Sequence, residues 1–367
     1  PTQLIYNAED DCCFRAPLVK PYVFDAIQPF FRLYGKQDVF QFHQNTNISA
    51  HNYGLDDREQ AYRFFDKYFN LSGGEAEIPV GHNIKSYEEL KAGLPKDNLT
   101  ILGLAQKMGH ALNRPSVPSN LAQRDKWSTA QREKLHEVVR YHPVQVSHAW
   151  EEDNTHHNEV ESVSYRFEMN NGLGATGIWL KDVPTGPNTP LTIVLNDGGK
   201  KAAADQLWDR IPEVADRMER GEQVLAVDLL FTGDAAPDQP AEVITEMLAA
   251  IGQRPLGMEA AQLVAIAKWA EGKWSPASIR VETTGIRSQV VSLVAGALEP
   301  HLYTEVENYG GMRSLSYILD KPVTYDAAPD LFCLDLYKDF DIDQLEVLAS
   351  PAKVAELKYV ELPAPHR

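Results

Sequence analysis

The second half of the chain carries two kinds of hydrophobic pattern that take turns along the sequence. Short continuous apolar runs predict buried strands at 191–196, 223–229 and 279–283. Apolar residues at helical spacing predict helices at 202–220, 240–251, 258–272 and 286–298. Upstream of these, the residue pattern predicts three strands that precede the alternating region, at 144–148, 163–168 and 177–180. Strands that alternate with helices after antiparallel lead-in strands predict the α/β class, with a mostly parallel sheet flanked by helices.

Residues 1–70 carry a shorter strand and helix pattern. Apolar runs predict strands at 3–8 and 39–43, and helices are predicted at 17–34 and 56–69. Asp10 and Asp11 follow the first strand, and His51 lies between the second strand and the last helix. An acid, then a strand, then a histidine is the chain order of the last two members of an α/β-hydrolase triad. Residues 1–70 are therefore predicted to be the end of a hydrolase domain.

These aspartates and the histidine are the candidate catalytic groups. Asp10 is our first choice for the acid, Asp11 is the alternative, and His51 is the base. In a triad the carboxylate holds the histidine tautomer and stabilises the imidazolium that forms during the reaction. A capping aspartate and a surface-loop histidine would look the same locally. It is the order of acid, strand, histidine and amphipathic helix that favours catalysis.

The texture changes in the middle of the chain. Glycine, proline and serine cluster at 72–74 and again at 115–119, which predicts a linker with short helices. We therefore predict the C-terminal part of a first α/β-hydrolase domain at 1–71, a linker at 72–127, and a second, degenerate α/β-hydrolase domain at 128–367. Near the chain's end, 340–360 combines a helix, a proline and a strand. In this fold such a combination precedes the acid, so we predict that 340–360 leads into a strand equivalent to residues 2–7.

The second region should hold a nucleophile at the sharp turn after the strand 279–283. Such a turn uses Gly-x-Ser-x-Gly, because small neighbours relieve the crowding of the strained nucleophile. Here Glu282, Thr284 and Ile286 occupy the three key positions, and only Gly285 is small. Thr284 is therefore a degenerate nucleophile position, since β-branching crowds the attacking oxygen.

Glycines at two turns are candidates for the oxyanion loop. Gly198 and Gly199 follow the predicted strand 191–196, where this fold places a loop that donates a backbone N–H to the oxyanion. Gly285 is the third candidate, at the degenerate nucleophile turn. A tight strand–helix turn would require glycine equally well.

Charge and cysteine content narrow the range of partners. The 35 Lys and Arg against 52 Asp and Glu give a net charge of −17, which argues against nucleic acid and anionic membranes as partners. No apolar run approaches the about 20 residues that span a bilayer. Cys12, Cys13 and Cys333 lack the spacing of a zinc site, and His156-His157 lies in a predicted charged hairpin loop. We predict no metal, no cofactor and buried free thiols; a disulfide from Cys12 or Cys13 to Cys333 stays open.

Two stretches give the chain a family resemblance. Residues 6–14, together with His51-Asn52-Tyr53, resemble the C-terminal part of bacterial acetyl xylan esterase-like α/β-hydrolases. Residues 285–289 and 332–337 resemble the extra hydrolase-like module that follows the active one in large members. The resemblance implies a metal-free, extracytoplasmic serine carboxylesterase for acetylated or otherwise esterified plant polysaccharide. It also implies that Asp10 and His51 are the triad acid and base, and it assigns no nucleophile.

Three interpretations remain open from the sequence. The favoured one is a tandem esterase whose serine lies upstream of Pro1 and whose second module is degenerate. The second is a permuted single domain in which Asp10 and His51 serve Thr284. The third is a non-catalytic binding or scaffold module.

Overall fold

The chain folds into two compact units, Pro1–Lys96 (unit 1) and Asp97–Arg367 (unit 2), in the computed structural model. The structure describes residues 1–7, 11, 13–45, 51–157, 159–186, 188–202, 217–321 and 323–360. The division falls inside the predicted linker 72–127, but the linker's second part belongs to unit 2. There the Gln106 amide donates a hydrogen bond of 2.9 Å to the carbonyl of Leu319. His110 Nε2 also lies 3.1 Å from Asp320 Oδ1, so residues 101–110 pack within unit 2.

Unit 1 is built on two parallel strands, β1 (Thr2–Tyr6) and β2 (Phe40–Gln44). Its helices are α1 (Ala16–Val19), α2 (Ala26–Leu33), α3 (Leu55–Phe69) and α4 (Tyr87–Leu90), with a π-helical turn at Pro21–Asp25. Tyr6 pairs with Gln44, so both strands end at the same edge. The residues that follow the two strands are therefore brought side by side.

Unit 1 leaves much of its apolar surface uncovered. Among its described residues, the buried apolar ones are Ala16, Phe24 and Phe40. On α2, Phe30 is 63% exposed and Leu33 is 80% exposed. A two-stranded sheet is marginal without further strands or a covering layer, and large exposed apolar patches normally mark a surface that packs against something.

Unit 2 contains an eight-stranded sheet in the order β10-β9-β8-β6-β7-β5-β4-β3. Its strands are β3 (Val146–His157), β4 (Val160–Met169), β5 (Gly174–Asp182), β6 (Leu191–Asn196), β7 (Gln223–Asp228), β8 (Ile279–Thr284), β9 (Glu305–Gly311) and β10 (Lys353–Tyr359). Across the sheet, the neighbours β3, β4, β5 and β7 pair antiparallel. The neighbours β7, β6, β8, β9 and β10 pair parallel. The predicted fold class, a mostly parallel sheet preceded by antiparallel strands, is confirmed.

Helices cover this sheet. They are α5 (Ile101–His110), α6 (Leu121–Val138), α7 (Ala241–Ala250), α8 (Pro255–Trp274), α9 (Ile286–Leu298), α10 (Tyr317–Asp320), α11 (Leu336–Asp339) and α12 (Ile342–Leu348). Trp269 of α8 packs edge-on against Tyr165 and Phe167 of β4, with ring centroids 5.1 and 4.9 Å apart. Within the described ranges, no helix has the length and apolar character needed to cross a bilayer.

One predicted element differs from the observed structure, and another falls largely outside the described residues. The predicted hairpin loop around His156 is wrong, because residues 146–157 form the edge strand β3 and His156 pairs with Glu161. An edge strand faces solvent, so it carries charged residues that resemble a loop in sequence. The predicted helix 202–220 falls largely on residues 203–216, which lie outside the described residues; 217–219 are helical.

Candidate functional site

Two asparagines organise the edge of unit 1 where β1 and β2 end. The Asn7 amide donates to Asp11 Oδ2 at 3.0 Å and to the carbonyl of Asn52 at 3.0 Å. The Asn45 amide donates to Asp57 Oδ2 at 3.1 Å. Each asparagine directly follows its strand, so the parallel pairing places the two amides next to each other. They tie the turn that contains the acid to the loop that contains the histidine.

Asp11 is held as a carboxylate by three donors. Its Oδ1 accepts the backbone N–H groups of Cys13 at 2.7 Å and Phe14 at 2.9 Å, and Oδ2 accepts the Asn7 amide. The side chain is only 2% exposed. The N–H of Phe14, then that of Cys13 and the Asn7 amide, hold the pKa of Asp11 well below its usual range. The ionised form of Asp11 is therefore favoured at neutral pH.

His51 faces this carboxylate. Its Nδ1 lies 3.2 Å from Asp11 Oδ2 and 3.3 Å from Oδ1, and its side chain is 60% exposed. With Nδ1 at the acid, Nε2 lies on the far side of the ring, which is the arrangement of a triad acid and base. Asp10, the first choice for the acid, lies outside the described residues. The alternative, Asp11, is the aspartate that the structure brings to His51.

The loop after His51 is anchored by an arginine. Arg58 donates to the Tyr53 carbonyl at 2.7 Å and forms two hydrogen bonds with Glu77, of 2.5 and 3.0 Å. The same pairing lowers the pKa of Glu77. Since α3 begins at Leu55, the arginine fixes the histidine loop to the start of that helix. Neither Arg58 nor the two asparagines could be selected from the sequence, because each has a partner that lies 12 to 45 residues away along the chain.

Unit 2 has a sharp strand–helix turn at the expected place. Gly285 separates Thr284 of β8 from Ile286 of α9, with φ at +112° and its N–H donating to the carbonyl of Tyr309 at 2.9 Å. This backbone geometry is open to glycine and strained for other residues. In the described part of unit 2, no histidine or carboxylate is hydrogen-bonded to Thr284.

The space beside this turn is filled by Asp197, which directly follows β6. Its Oδ1 accepts the N–H of Ser288 at 2.8 Å and the Ser288 hydroxyl at 2.7 Å, and its Oδ2 accepts the N–H of Arg287 at 3.1 Å. A Cβ built on Gly285 would lie 2.2 Å from the Asp197 Cγ. A carboxylate is favourable at a helix N-terminus. The first N–H groups of α9 therefore serve a side chain of the protein itself.

The glycine donors of unit 2 are also engaged locally. The N–H of Gly198 donates to Asn196 Oδ1 and that of Gly199 to the Asn196 carbonyl, both at 2.8 Å. The next N–H, that of Lys200, donates to Asp228. The N–H groups of Gly198 and Gly199 are therefore used within their own turn, and that of Gly285 is used by Tyr309 of the neighbouring strand β9. The arrangement does not favour an oxyanion role.

A buried charge cluster lies next to the same turn. Arg287 Nε donates to both oxygens of Asp330, at 2.9 and 3.0 Å. Glu259 is 1% exposed, and its Oε2 has no hydrogen-bond partner among the described residues. Burial, and then the charge of Asp330, raises the pKa of Glu259 well above its usual value. Burial therefore disfavours the charged form of Glu259, while Arg287 and Asp330 form an ion pair beside it.

The cysteines differ from one another. Cys333 is buried and free, as predicted, and burial raises the pKa of its thiol to about 12, which disfavours the reactive thiolate. Cys13 is exposed, which corrects the expectation that the thiols are buried. Cys12 lies outside the described residues. The Cys13 Sγ, an oxygen of Asp11 and a nitrogen of His51 lie within 4.8 Å of one another, so these three could hold a metal ion.

Comparison with known proteins supports the fold. No family model matches the sequence, and neither does any curated protein. A structure from Bacteroides fragilis, described as a candidate acetyl xylan esterase, has a TM-score of 0.58 and 14% identity over 73% of this chain and 77% of that chain. An acetyl xylan esterase from Paenibacillus sp. R4 has a TM-score of 0.44 and 10% identity over 67% of this chain and 80% of that chain. A glucuronoyl esterase from Solibacter usitatus has a TM-score of 0.44 and 9% identity over 68% and 80%, respectively.

The likeness to the Bacteroides fragilis structure shows that this chain has the α/β-hydrolase fold of acetyl xylan esterase-like proteins. The family resemblance noted from residues 6–14 and 285–289 predicted this fold. At such low identity the likeness concerns the fold alone, so catalytic roles depend on the geometry of the residues in this chain.

Proposed function

We propose that unit 1 supplies the acid and the base of a serine carboxylesterase. The observation that carries the proposal is the 3.2 Å separation of Asp11 Oδ2 and His51 Nδ1, at the edge where two parallel strands end. The B. fragilis likeness supports a carbohydrate ester, above all an acetyl ester, as the first substrate class to test. Asp11 takes the role that the sequence had assigned first to Asp10.

The mechanism follows from the two sides of the imidazole. Asp11 accepts a hydrogen bond from the Nδ1–H of His51, which leaves Nε2 unprotonated and ready to take a proton from a serine hydroxyl. The serine oxygen attacks the ester carbonyl, and the bond to the alcohol breaks as the protonated His51 returns the proton to the leaving oxygen. A water molecule that gives its proton to His51 then attacks the acyl-serine and releases the acid, which restores the serine. Because its pKa is held so low, Asp11 remains a carboxylate and stabilises the imidazolium throughout.

The serine itself is proposed to come from sequence that precedes Pro1. The exposed apolar residues of α2 support this, since parallel sheets of this kind are covered on both faces. A preceding set of strands and helices would cover Phe30 and Leu33 and would extend the β1–β2 pair. Its strand–helix turn would carry the nucleophile.

Unit 2 is proposed to be a non-catalytic hydrolase module. Asp197 occupies the N-terminus of α9, where a substrate oxyanion would need the same donors. Thr284 has no described base. A carbohydrate-binding or scaffold role is the second candidate function, and the filled turn is the observation that favours it.

The test compares two forms of the protein on p-nitrophenyl acetate and acetylated xylan. The form extended upstream should hydrolyse both substrates and should contain Gly-x-Ser-x-Gly in the added sequence. Chain 1–367 alone should show little turnover. Robust turnover by 1–367 that Thr284→Ala abolishes would overturn the tandem proposal and support a permuted single site. Binding to acetylated xylan without cleavage by either form would support the module interpretation instead.

A further inference from the structure

We propose that Asp11, Cys13 and His51 form a binding site for a thiophilic divalent cation such as Zn²⁺. Their ligand atoms lie within 4.8 Å of one another. Carboxylate oxygen, thiolate sulfur and imidazole nitrogen are the three ligand types that zinc takes from proteins. The sequence predicted no metal site, because Cys13 and His51 are far apart along the chain. This inference does not rest on ester hydrolysis.

The carboxylate of Asp11 is already oriented for such a role. Each carboxylate oxygen can accept about two hydrogen bonds. Oδ1 is filled by the N–H groups of Cys13 and Phe14, while Oδ2, among the described residues, accepts the Asn7 amide besides its contact with His51. One lone pair of Oδ2 is therefore directed at the imidazole. Outer partners that fix a ligand in this way are a regular feature of metal sites.

The separations fit a tetrahedral ion after small side-chain movements. Bonds of 2.0–2.3 Å in a tetrahedron place the ligand atoms roughly 3.3–3.8 Å apart. Asp11 Oδ2 and His51 Nδ1 are 3.2 Å apart, so the ion would replace the proton between them. Cys13 is exposed and His51 is 60% exposed, so both side chains are able to adjust. A water molecule would complete the four ligands.

Charge also favours a divalent cation. A metal-bound thiol is deprotonated, so Cys13 and Asp11 would together contribute two negative charges against a neutral imidazole. The chain as a whole carries a net charge of −17, which raises the local concentration of cations. Because the ion takes the lone pair that otherwise receives the Nδ1 proton, metal binding and the Asp11–His51 hydrogen bond exclude each other.

The experiment titrates the metal-free full chain with Zn²⁺ by calorimetry and with Cd²⁺ by the ultraviolet charge-transfer absorption of a cadmium thiolate. One ion per chain and a thiolate band are expected. Cys13→Ser should abolish the band and weaken Zn²⁺ binding by more than about 100-fold, beyond the 10–100-fold that outer partners cost. His51→Gln should weaken Zn²⁺ binding to a similar extent. Both side chains are exposed, so circular dichroism should show that both variants keep the fold.

Matched controls separate this site from other ligands. Cys12→Ser removes the neighbouring thiol, Cys333→Ser removes the buried one, and His43→Gln removes another unit 1 histidine; all three should bind like the natural chain. Zn²⁺ affinity in Cys13→Ser within about threefold of the natural chain would overturn the proposal, on the scale of ligand losses given above. Loss of the band in Cys12→Ser instead of Cys13→Ser would also overturn it. These readouts do not involve ester cleavage, so failure of the proposed esterase activity would leave them unaffected.

Discussion

Both units place an aspartate beyond the end of a parallel strand, and the two carboxylates are used differently. Asp11 in unit 1 accepts two backbone N–H groups and still has an acceptor directed at His51. Asp197 in unit 2 accepts two backbone N–H groups and a hydroxyl at the start of α9. The first arrangement leaves the carboxylate available to a titratable side chain, and the second uses it to close a turn. An aspartate after a parallel strand can thus orient a titratable side chain or cap a helix, depending on which side chain it contacts.

The largest expected effect is on hydrolysis by the upstream-extended form. Asp11→Asn should lower kcat by about 10⁴-fold, because the wrong histidine tautomer is then favoured, and His51→Gln by about 10⁴- to 10⁶-fold. Steady-state kinetics on p-nitrophenyl acetate measures both. His43→Gln is the control, since His43 pairs with Asp56 at 2.6 Å. Equal losses in the control would show that the Asp11–His51 pair has no special role.

The next effect tests how tightly the turn of unit 2 is closed. Gly285→Ala should lower the free energy of unfolding by about 3 kcal/mol, from strain at φ +112° and from the contact with Asp197. Gly310→Ala is the matched control, because Gly310 also has a positive φ but its Cβ would meet nothing closer than 4.0 Å. It should cost about 1 kcal/mol. Urea unfolding followed by tryptophan fluorescence reports on unit 2, since all 6 tryptophans lie there.

Removing the carboxylate should have a somewhat smaller effect. Asp197→Ala should destabilise unit 2 by about 2 kcal/mol, through loss of the helix cap and of the Ser288 hydroxyl's partner. Asp238→Ala, at an exposed position, should change stability by less than about 0.5 kcal/mol. In the Asp197→Ala background, Gly285→Ala should cost less than it does alone, because its clash is gone. Strict additivity would contradict the close contact.

The smallest expected effect is on the pH dependence of stability, in which Glu346 of unit 2 and Asp11 of unit 1 act in opposite directions. Burial, followed by the charges of Glu356 and Asp343, raises the pKa of Glu346 from 4.5 to about 7. The folded state binds this proton more tightly, so unit 2 should lose stability as pH rises through that window, by roughly 1–2 kcal/mol for a partly exposed group. Asp11, with its pKa lowered, contributes in the opposite direction and only in acid. Glu346→Gln should flatten the pH dependence of unit 2; an unchanged slope would contradict it.

Particular elements show how far the sequence leads. The runs at 191–196 and 279–283 became β6 and β8 almost to the residue, because a strand buried on both faces needs a continuous apolar run. The edge strand β3 was mistaken in part for a loop, because its solvent-facing residues are charged. Periodicity depends on burial, so it is clearest at the centre of the sheet and weakest at its edge.

The sequence by itself determined the alternation of strands and helices, the α/β-hydrolase class and the order of acid and histidine. Each of these depends on the spacing and order of residues along the chain, which the sequence shows directly. Only the tertiary structure decided that Asp11 meets His51, and that Asp197 fills a turn 90 residues away at Arg287. Which residues become hydrogen-bond partners depends on how close the ends of their strands lie in the folded protein. Residues that look alike along the chain can therefore acquire different roles.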